Sequence, residues 1–261
     1  MNTMSCRKNR QSGLSLVELM IGIALGLLLT GAALSMLIVS KETYRTTNTL
    51  SRVQENARYA LDTLAKSIRL AGYRDPEYGG TLDPIYDGEC GSFDPCTENG
   101  AGNASDRIAL WLDPPPNDGT ETDCTGAVIE ADQDIANVYY VAETADDVFS
   151  LVCRGYDVGD GSWVASAQPL IDGIDRLQIL YGLIEDGRIN QYVSADRVPE
   201  WHQVGAVRVS LLVSTGQETG SSDEKVREFL LLDAEPLVVE DRHERKTFST
   251  TVAIHNQFNE T

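Results

Sequence analysis

The sequence predicts an α+β protein in which one long N-terminal α-helix, with a transmembrane first half, packs on a mainly antiparallel β-sheet domain with long loops. Three observations lead to this prediction. Residues 19–39 carry no charge over twenty-one positions, enough to cross the ~30 Å hydrocarbon core of a bilayer at ~1.5 Å rise per residue. An amphipathic helical pattern follows directly. Short alternating segments separated by turn residues fill the rest of the chain.

The N-terminal stretch starts with a short basic segment, Arg7, Lys8 and Arg10, which leads through Gly13 into the apolar run. Because basic flanks remain in the cytoplasm, we expect the chain behind the run to lie outside it. A secretory signal peptide is disfavoured, because its apolar region spans only ~7–15 residues. A plain transmembrane anchor explains the length but leaves Glu18 unexplained, since an ionisable group inside a membrane is costly.

The junction GLSLVE, from Gly13 to Glu18, resembles the class III leader junction of type IV pilins and pseudopilins. The resemblance implies that a dedicated prepilin peptidase cuts between Gly13 and Leu14 on the cytoplasmic side, and that the new amine of Leu14 is methylated. The family usually has Phe at this first mature position, where this chain has Leu14. Glu18 would become the fifth mature residue. Members of the family pair this glutamate with the terminal amine of a neighbouring subunit, which sets the axial register, and burial of an unpaired carboxylate is costly enough to favour that role.

We expect four segments along the chain. Residues 1–13 are the cleaved leader, and residues 14–40 are the transmembrane or filament-core half of the helix. Residues 41–72 form its amphipathic half, and residues 73–261 form an extracytoplasmic β-rich globular domain.

The amphipathic half is defined by apolar residues spaced three and four apart, on one helical face: Leu50, Val53, Ala57, Ala60, Leu61, Leu64, Ile68 and Ala71. Gly72 is a good stop at the position after the helix, and Pro76 follows shortly. Because no proline lies between Glu18 and Ala71, the sequence predicts one helix through both halves.

The charge of the chain is unevenly distributed. The net charge is −19, and it becomes −22 once the three basic leader residues are removed. Residues 41–75 hold seven basic and four acidic residues, whereas residues 76–261 hold eleven basic and thirty-five acidic residues. So acidic a domain argues against a nucleic-acid partner, which requires a basic surface. We expect the charge to serve solubility outside the cell.

Four cysteines remain once the leader residue Cys6 is removed: Cys90, Cys96, Cys124 and Cys153. An even number in an exported domain indicates two disulfides, for which three connectivities are possible. We expect Cys90–Cys96, which closes a local loop, and Cys124–Cys153. Metal ligation is disfavoured by the six-residue spacing and by the lack of a nearby histidine.

The distal domain is predicted to contain six strands, at residues 107–112, 137–142, 150–154, 174–181, 206–214 and 247–254. The predicted loops cover residues 77–105, 113–123 and 217–225, and residues 144–147 are expected to connect two strands as a hairpin.

Several blocks of the chain look like PilW-type minor pilins: QENARYALDTLAKSIRLAGYRD, VYYVAE, IDGIDRLQILYG, AVRVSLLVS and KTFSTTVAIHN. The resemblance implies a minor pilin that helps prime type IV pilus assembly, supports twitching motility and is incorporated at or near the pilus tip. It also implies as partners the prepilin peptidase and N-methyltransferase, other minor pilins, the major pilin, the inner-membrane assembly platform and membrane lipid. The chain would be a single-pass inner-membrane protein with its C-terminal domain in the periplasm, and later part of the pilus surface.

The distal domain offers no recognisable catalytic set. Its histidines, His202, His243 and His255, have no metal-type neighbours at useful spacing. Asp157 and Asp160 hint at calcium but do not match the EF-hand loop, so a solvated turn is the preferred interpretation. We therefore expect no enzyme activity, no cofactor and no metal.

Three alternative functions remain open, and one of them is adhesion by the exposed loops, for which the sequence offers no binding pocket. A minor pseudopilin of a type II secretion system shares the junction and the long helix, and loss of secretion rather than of twitching in a deletion strain would identify it. A membrane-anchored extracytoplasmic binding or enzymatic domain is unconnected to any filament. In that case Glu18→Ala should leave export and activity intact.

Overall fold

The computed structural model describes residues 13, 15–74, 82–112, 122–130, 133–144, 148–215 and 225–257. The chain divides into two compact units, Met1–Asn48 and Thr49–Thr261. The boundary falls inside helix α1, which comprises Leu16–Leu70.

Helix α1 has a different environment in each unit. In the first unit every described side chain from residue 15 to residue 48 is exposed. In the second unit one face of the helix is buried, and its buried residues are Val53, Ala57, Ala60, Leu64, Ala65 and Ile68. The helix ends before Gly72, which has a φ of +70°, a conformation that glycine adopts without steric cost. The Gly72 N–H donates to Trp111 O at 2.8 Å, so the helix end is joined to the first strand.

The described residues contain eleven strands, whose bounds are β1 Ile108–Leu112, β2 Ile135–Glu143, β3 Phe149–Asp157, β4 Ser162–Trp163, β5 Gln168–Asp172, β6 Ile174–Glu185, β7 Arg188–Val193, β8 Val204–Ser214, β9 Lys225–Phe229, β10 Leu237–Asp241 and β11 Arg245–Ala253. Short 3-10 helices occupy Ala195–Arg197, Trp201–Gln203 and His255–Gln257. All strand pairs are antiparallel.

The strands form three sheets. In the five-stranded sheet the order is β1-β2-β3-β4, and β5 also pairs with β3. In the four-stranded sheet the order is β11-β8-β6-β7. Strands β9 and β10 form a separate two-stranded sheet, on which Val226 and Val238 are exposed. The structure therefore confirms the predicted α+β class, with the sheet divided into three.

The main core is formed by the second half of α1 together with side chains of both larger sheets. Strand β8 directs Val207, Val209, Leu211 and Val213 into it, as the alternation of the sequence predicts. The α1 alanines Ala57, Ala60 and Ala65 belong to the same core.

A smaller core surrounds the disulfide Cys90–Cys96. Phe93, inside this loop, packs edge-on against Trp163 with ring centroids 5.9 Å apart. The Arg107 guanidinium lies 3.9 Å from the centre of the Phe93 ring and donates to the Cys96 carbonyl at 2.7 Å. The disulfide and this cation–π contact hold in place a segment that has no regular secondary structure.

The structure extends most predicted strands and adds five. Strand β6 continues to Glu185 and β3 to Asp157, whereas β4, β5, β7, β9 and β10 were not predicted. The prediction of a polar loop through Lys225 was wrong at its end, because Lys225 begins β9. The rest of that loop, the loop at 113–121, the hairpin connection at 145–147 and Pro76 lie outside the described residues.

Candidate functional site

The predicted processing junction lies at the start of α1. Gly13 is exposed, and a Cβ built on it would meet nothing within 4 Å. Leu14 lies outside the described residues. Glu18 occupies the first turn of the helix with its side chain exposed. A carboxylate in this position interacts favourably with the partial positive charge of a helix N-terminus.

The first half of α1 exposes a long apolar surface. Large side chains from Leu16 to Val39 are between 55% and 77% exposed. The helix is long and apolar enough to cross a membrane, with a mean hydropathy of 2.3 in its most apolar window. Such a surface is not stable in water. It must be covered by lipid or by other protein chains.

Several hydroxyl groups along the exposed part of α1 are bonded to carbonyls of the helix itself. Thr30 donates to the Gly26 carbonyl at 2.8 Å, and Ser35 donates to the Gly31 carbonyl at 2.9 Å. Thr43 makes the same contact about two turns after Ser35, to the Val39 carbonyl at 2.9 Å. Because an unsatisfied hydroxyl in hydrocarbon is costly, these bonds suit the helix to an apolar surrounding.

Three glycines lie on the surface of the same half of the helix, with free space beside each of them. A Cβ built on Gly22, Gly26 or Gly31 would meet no heavy atom within 4 Å. Gly22 and Gly26 form a GxxxG spacing, which permits close approach of a second helix.

A buried carboxyl group that the sequence did not indicate lies in the second unit. Asp106 is 2% exposed; its two oxygens accept hydrogen bonds from the backbone N–H groups of Gly100 at 2.8 Å and Ile179 at 2.6 Å. Burial raises the pKa of Asp106 from 3.8 to about 7, against the effect of these two donors. Asp106 thus joins the loop after the Cys90–Cys96 segment to strand β6.

A second polar cluster joins β10, β11 and β6. Arg245 donates to Asp175 at 2.6 Å and to Asp241 at 2.7 Å, and Ser214 also donates to Asp175 at 2.7 Å. The hydrogen bond from Arg245 lowers the pKa of Asp241 to about 2. The cluster lines an open cavity of about 230 Å³ that also includes His243. Each charged group of the cluster is paired with another member of it. These ion pairs connect the two-stranded sheet, through Asp241 of β10, to the four-stranded sheet.

A second cavity of about 230 Å³ lies beside the end of α1. It is lined by Ser67 and Tyr139, whose hydroxyls are 2.7 Å apart, and by Asp123. Burial raises the pKa of Tyr139 to about 12, so its hydroxyl stays protonated at neutral pH. The Asp123 side chain is buried; its Oδ1 accepts from the backbone of Thr125 at 2.8 Å and Ala127 at 3.0 Å, which closes a turn.

The residues considered for metal or catalytic chemistry do not converge. Asp157 Oδ1 accepts from the backbone of Gly159 at 2.9 Å and Asp160 at 3.1 Å, so it closes the β3–β4 turn. His243 Nδ1 lies 3.5 Å from Asp241. No group of three or more metal-ligating side chains occurs within the part of the chain that the structure describes.

The structure pairs Cys90 with Cys96 and Cys124 with Cys153, both in the second unit. Gly13 and Glu18 lie together at the helix start. Sequence reasoning missed Asp106 and the hydroxyl bonds along α1. The hydroxyl bonds could have been predicted, because Thr30 and Ser35 each follow a glycine of the apolar run by four residues.

Two family sequence models match the chain. Residues 138–256 match the family described as Type IV Pilus-assembly protein W, and residues 8–34 match the prokaryotic N-terminal methylation motif. Among solved structures, a type IV-like pilin from Thermus thermophilus is similar at 15% identity with a TM-score of 0.43, covering 79% of this chain and 97% of that one. No curated protein matches the chain.

Proposed function

This chain is a type IV pilin-like protein with a PilW domain, and we propose that it acts as a minor pilin that helps prime type IV pilus assembly. It joins other minor pilins at the inner-membrane assembly platform and is incorporated at or near the pilus tip, ahead of the major pilin. Its β-rich domain faces the periplasm before incorporation. Its role is packing between subunits and involves no catalysis, cofactor or metal.

The observation that carries this proposal is the junction within the matched methylation motif, at residues 8–34. Prepilin peptidase cleaves between Gly13 and Leu14, and the same enzyme family methylates the amine of Leu14. The exposure of Gly13 at the start of α1 supports this, because a peptidase must bind the chain there in extended form.

Glu18 sets the register between subunits in the proposed mechanism. Its carboxylate is exposed in the first helical turn, beside a surface that must be covered by lipid or by protein. In such surroundings an unpaired charge is costly. The terminal amine of a neighbouring subunit neutralises it, so that the axial position with the paired charges is strongly preferred.

The rest of α1 and the β-rich domain supply packing and selectivity. The apolar side chains of the first half remain buried in membrane lipid or in the filament, and Gly22 and Gly26 admit a neighbouring helix closely. The acidic, disulfide-bonded domain selects neighbouring pilins and stays soluble outside the cell.

Mass spectrometry of the mature N-terminus tests the processing step. We expect the purified chain to begin at Leu14 and to carry a methylated amine. Protein that still begins at Met1, or that begins beyond Ala33, would rule out the filament role.

Substitution of Glu18 tests the register step. Glu18→Ala should leave the membrane level of the chain unchanged and should reduce its amount in sheared pili, together with pilus number and twitching. Glu42→Ala is the matched control, because Glu42 is an exposed acid of the same helix that lies beyond its uncharged run. Equal effects of the two variants would contradict the proposal, and loss of protein secretion with intact pili would indicate a pseudopilin.

A further inference from the structure

Strand β11 is an edge strand of the four-stranded sheet, and it pairs with β8 over nine residues without a register shift. Hydrogen bonds that flank the strand fix the direction of its backbone groups. Thr215 N donates to Glu244 O at 3.1 Å, and Ile254 N donates to Gly205 O at 2.9 Å. In an antiparallel pair every second residue is bonded to the partner, so the even-numbered residues of β11 bond β8.

The odd-numbered residues of β11 therefore direct both their N–H and C=O groups away from the sheet: Arg245, Thr247, Ser249, Thr251 and Ala253. Within the described parts of the chain, no backbone group bonds to these five residues on that side. The side chains of the last four are exposed. The strand contains no proline, and its threonine content favours an extended conformation.

The other long strand edges of the two larger sheets are covered or interrupted. The first half of β6 is covered by the loop that precedes β1, where Asp106 N donates to Leu177 O at 2.8 Å. The outer edge of β1 is covered by residues 84–86, since Tyr86 N donates to Ala109 O at 3.0 Å. Strand β7 is shorter, and its pairing with β6 has a register shift. Proteins normally protect an exposed edge with such devices, and β11 is the longest edge in the described residues that has none of them.

We propose that β11 pairs, main chain to main chain, with an extended segment of a neighbouring pilin-type subunit. This inference rests on the proposed function, because the shared anchor and filament are what bring such a subunit alongside. A free edge with five outward residues forms a regular hydrogen-bond ladder with an added strand, which is a common mode of recognition between chains.

The charge of the strand defines the chemistry of the partner segment. Residues 76–261 have a net charge of −24, whereas β11 contains no acid. Its exposed cation is Lys246, since Arg245 is held by Asp175 and Asp241. The edge is therefore a place where an acidic neighbour approaches without repulsion. A neutral or acidic segment with hydroxyl or β-branched side chains fits there, opposite Thr247, Ser249 and Thr251.

A pair of proline variants of the full-length chain tests the main-chain contact. Thr247→Pro removes an outward N–H, a place where edge strands tolerate proline. We expect normal membrane levels and intact disulfides, with incorporation into sheared pili reduced about tenfold by one lost and uncompensated hydrogen bond. Thr250→Pro is the matched control; it removes an inward N–H that bonds β8, so it should lower the amount of folded chain itself. Unchanged incorporation of the well-folded Thr247→Pro chain would overturn the proposal.

Photo-crosslinking in intact cells identifies the partner. A benzophenone amino acid at position 247 or 251 of the full-length chain should give an adduct with another pilin, identified by mass spectrometry. No adduct at either position would overturn the proposal. An adduct with a second copy of this chain would also overturn it, in favour of self-pairing.

The Glu18→Ala experiment separates the two levels of the proposal. If Glu18→Ala abolishes incorporation while Thr247→Pro does not, the pilus function stands and the edge contact fails. If neither variant nor deletion of the chain affects pili, the proposed function itself fails.

Discussion

The two halves of helix α1 show how one element meets two different demands. In the first half the large side chains, such as Leu28 and Ile38, are 70% and 65% exposed. In the second half small and large residues alternate, and Ala57, Ala60 and Ile68 are completely buried by the domain of the same chain. The second half of the helix is therefore buried by residues of its own chain. Burial for the first half must come from lipid or from other subunits.

The largest test of this comparison replaces matched isoleucines in the two halves. Ile68→Ala should lower the free energy of unfolding by about 2–5 kcal/mol, because it leaves a cavity in a packed core. Ile38→Ala should leave the free energy of unfolding unchanged, because the Ile38 side chain is 65% exposed and its removal leaves no cavity. Tryptophan-fluorescence unfolding of the full chain in detergent measures both. Equal destabilisation would mean that the first half also packs within the chain.

The two disulfides give the next effect, which is confined to the second unit. Replacing Cys124 and Cys153 by serine should cost about 3.6 kcal/mol, and replacing Cys90 and Cys96 about 2.4 kcal/mol, because the former closes the longer loop. Thermal unfolding of each double variant checks the order. The opposite order would show that local packing around Phe93 outweighs loop length.

The pH dependence should also originate in the second unit. Asp106 has a pKa of about 7 in the folded chain and 3.8 as its ordinary value. Between these values the folded chain retains a proton that the unfolded chain releases. Raising the pH from about 4 to about 7 should therefore lower stability by an amount on the order of a few kcal/mol, with no further loss above.

Two observations would check the origin of this pH dependence. Asp106→Asn should flatten the loss between pH 4 and 7. The opposite loss below pH 4 should persist, because the pKa of Asp241 is lowered to about 2 by Arg245 and its ionised form stabilises the folded chain. Unfolding curves over this pH range measure both, and an unaltered slope in Asp106→Asn would assign the effect to another group.

The smallest expected effect compares two glycines. In Gly155→Ala the new Cβ would lie 2.9 Å from the Cβ and Cγ atoms of Asp123 and even closer to its Oδ2, which should cost about 1–3 kcal/mol by overpacking. In Gly26→Ala the new methyl group meets nothing within 4 Å, so unfolding should not change. Denaturant midpoints of the two variants measure the difference. A stable Gly155→Ala chain would mean that the turn at Asp123 moves freely.

The elements that were predicted from sequence have strong internal periodicity. The buried face of α1 is visible in the spacing of its apolar residues, and the alternation of β8 shows which of its side chains enter the main core. Strands β9 and β10 were missed because their sheet has only two strands. It exposes Val226 and Val238 and sets them opposite Glu240 and Glu228, so the pattern does not separate a core face from a solvent face.

The candidate site divides in the same way. The roles proposed for Gly13 and Glu18 come from the sequence alone, because the junction is a local motif, and they stay predictions. The roles of Asp106 and of the β11 edge could not, since they depend on which distant segment covers which strand. Asp106 lies in a segment that reads as a loop, and it contacts Ile179, seventy-three residues away.

The hydroxyl bonds within α1 bear on the surroundings that its first half requires. Thr30 and Ser35 are already bonded to carbonyls of their own helix, so they require no acceptor from lipid or from another protein chain. In the proposed minor-pilin role, the helix therefore exchanges lipid contacts for contacts with other subunits without losing a hydrogen bond.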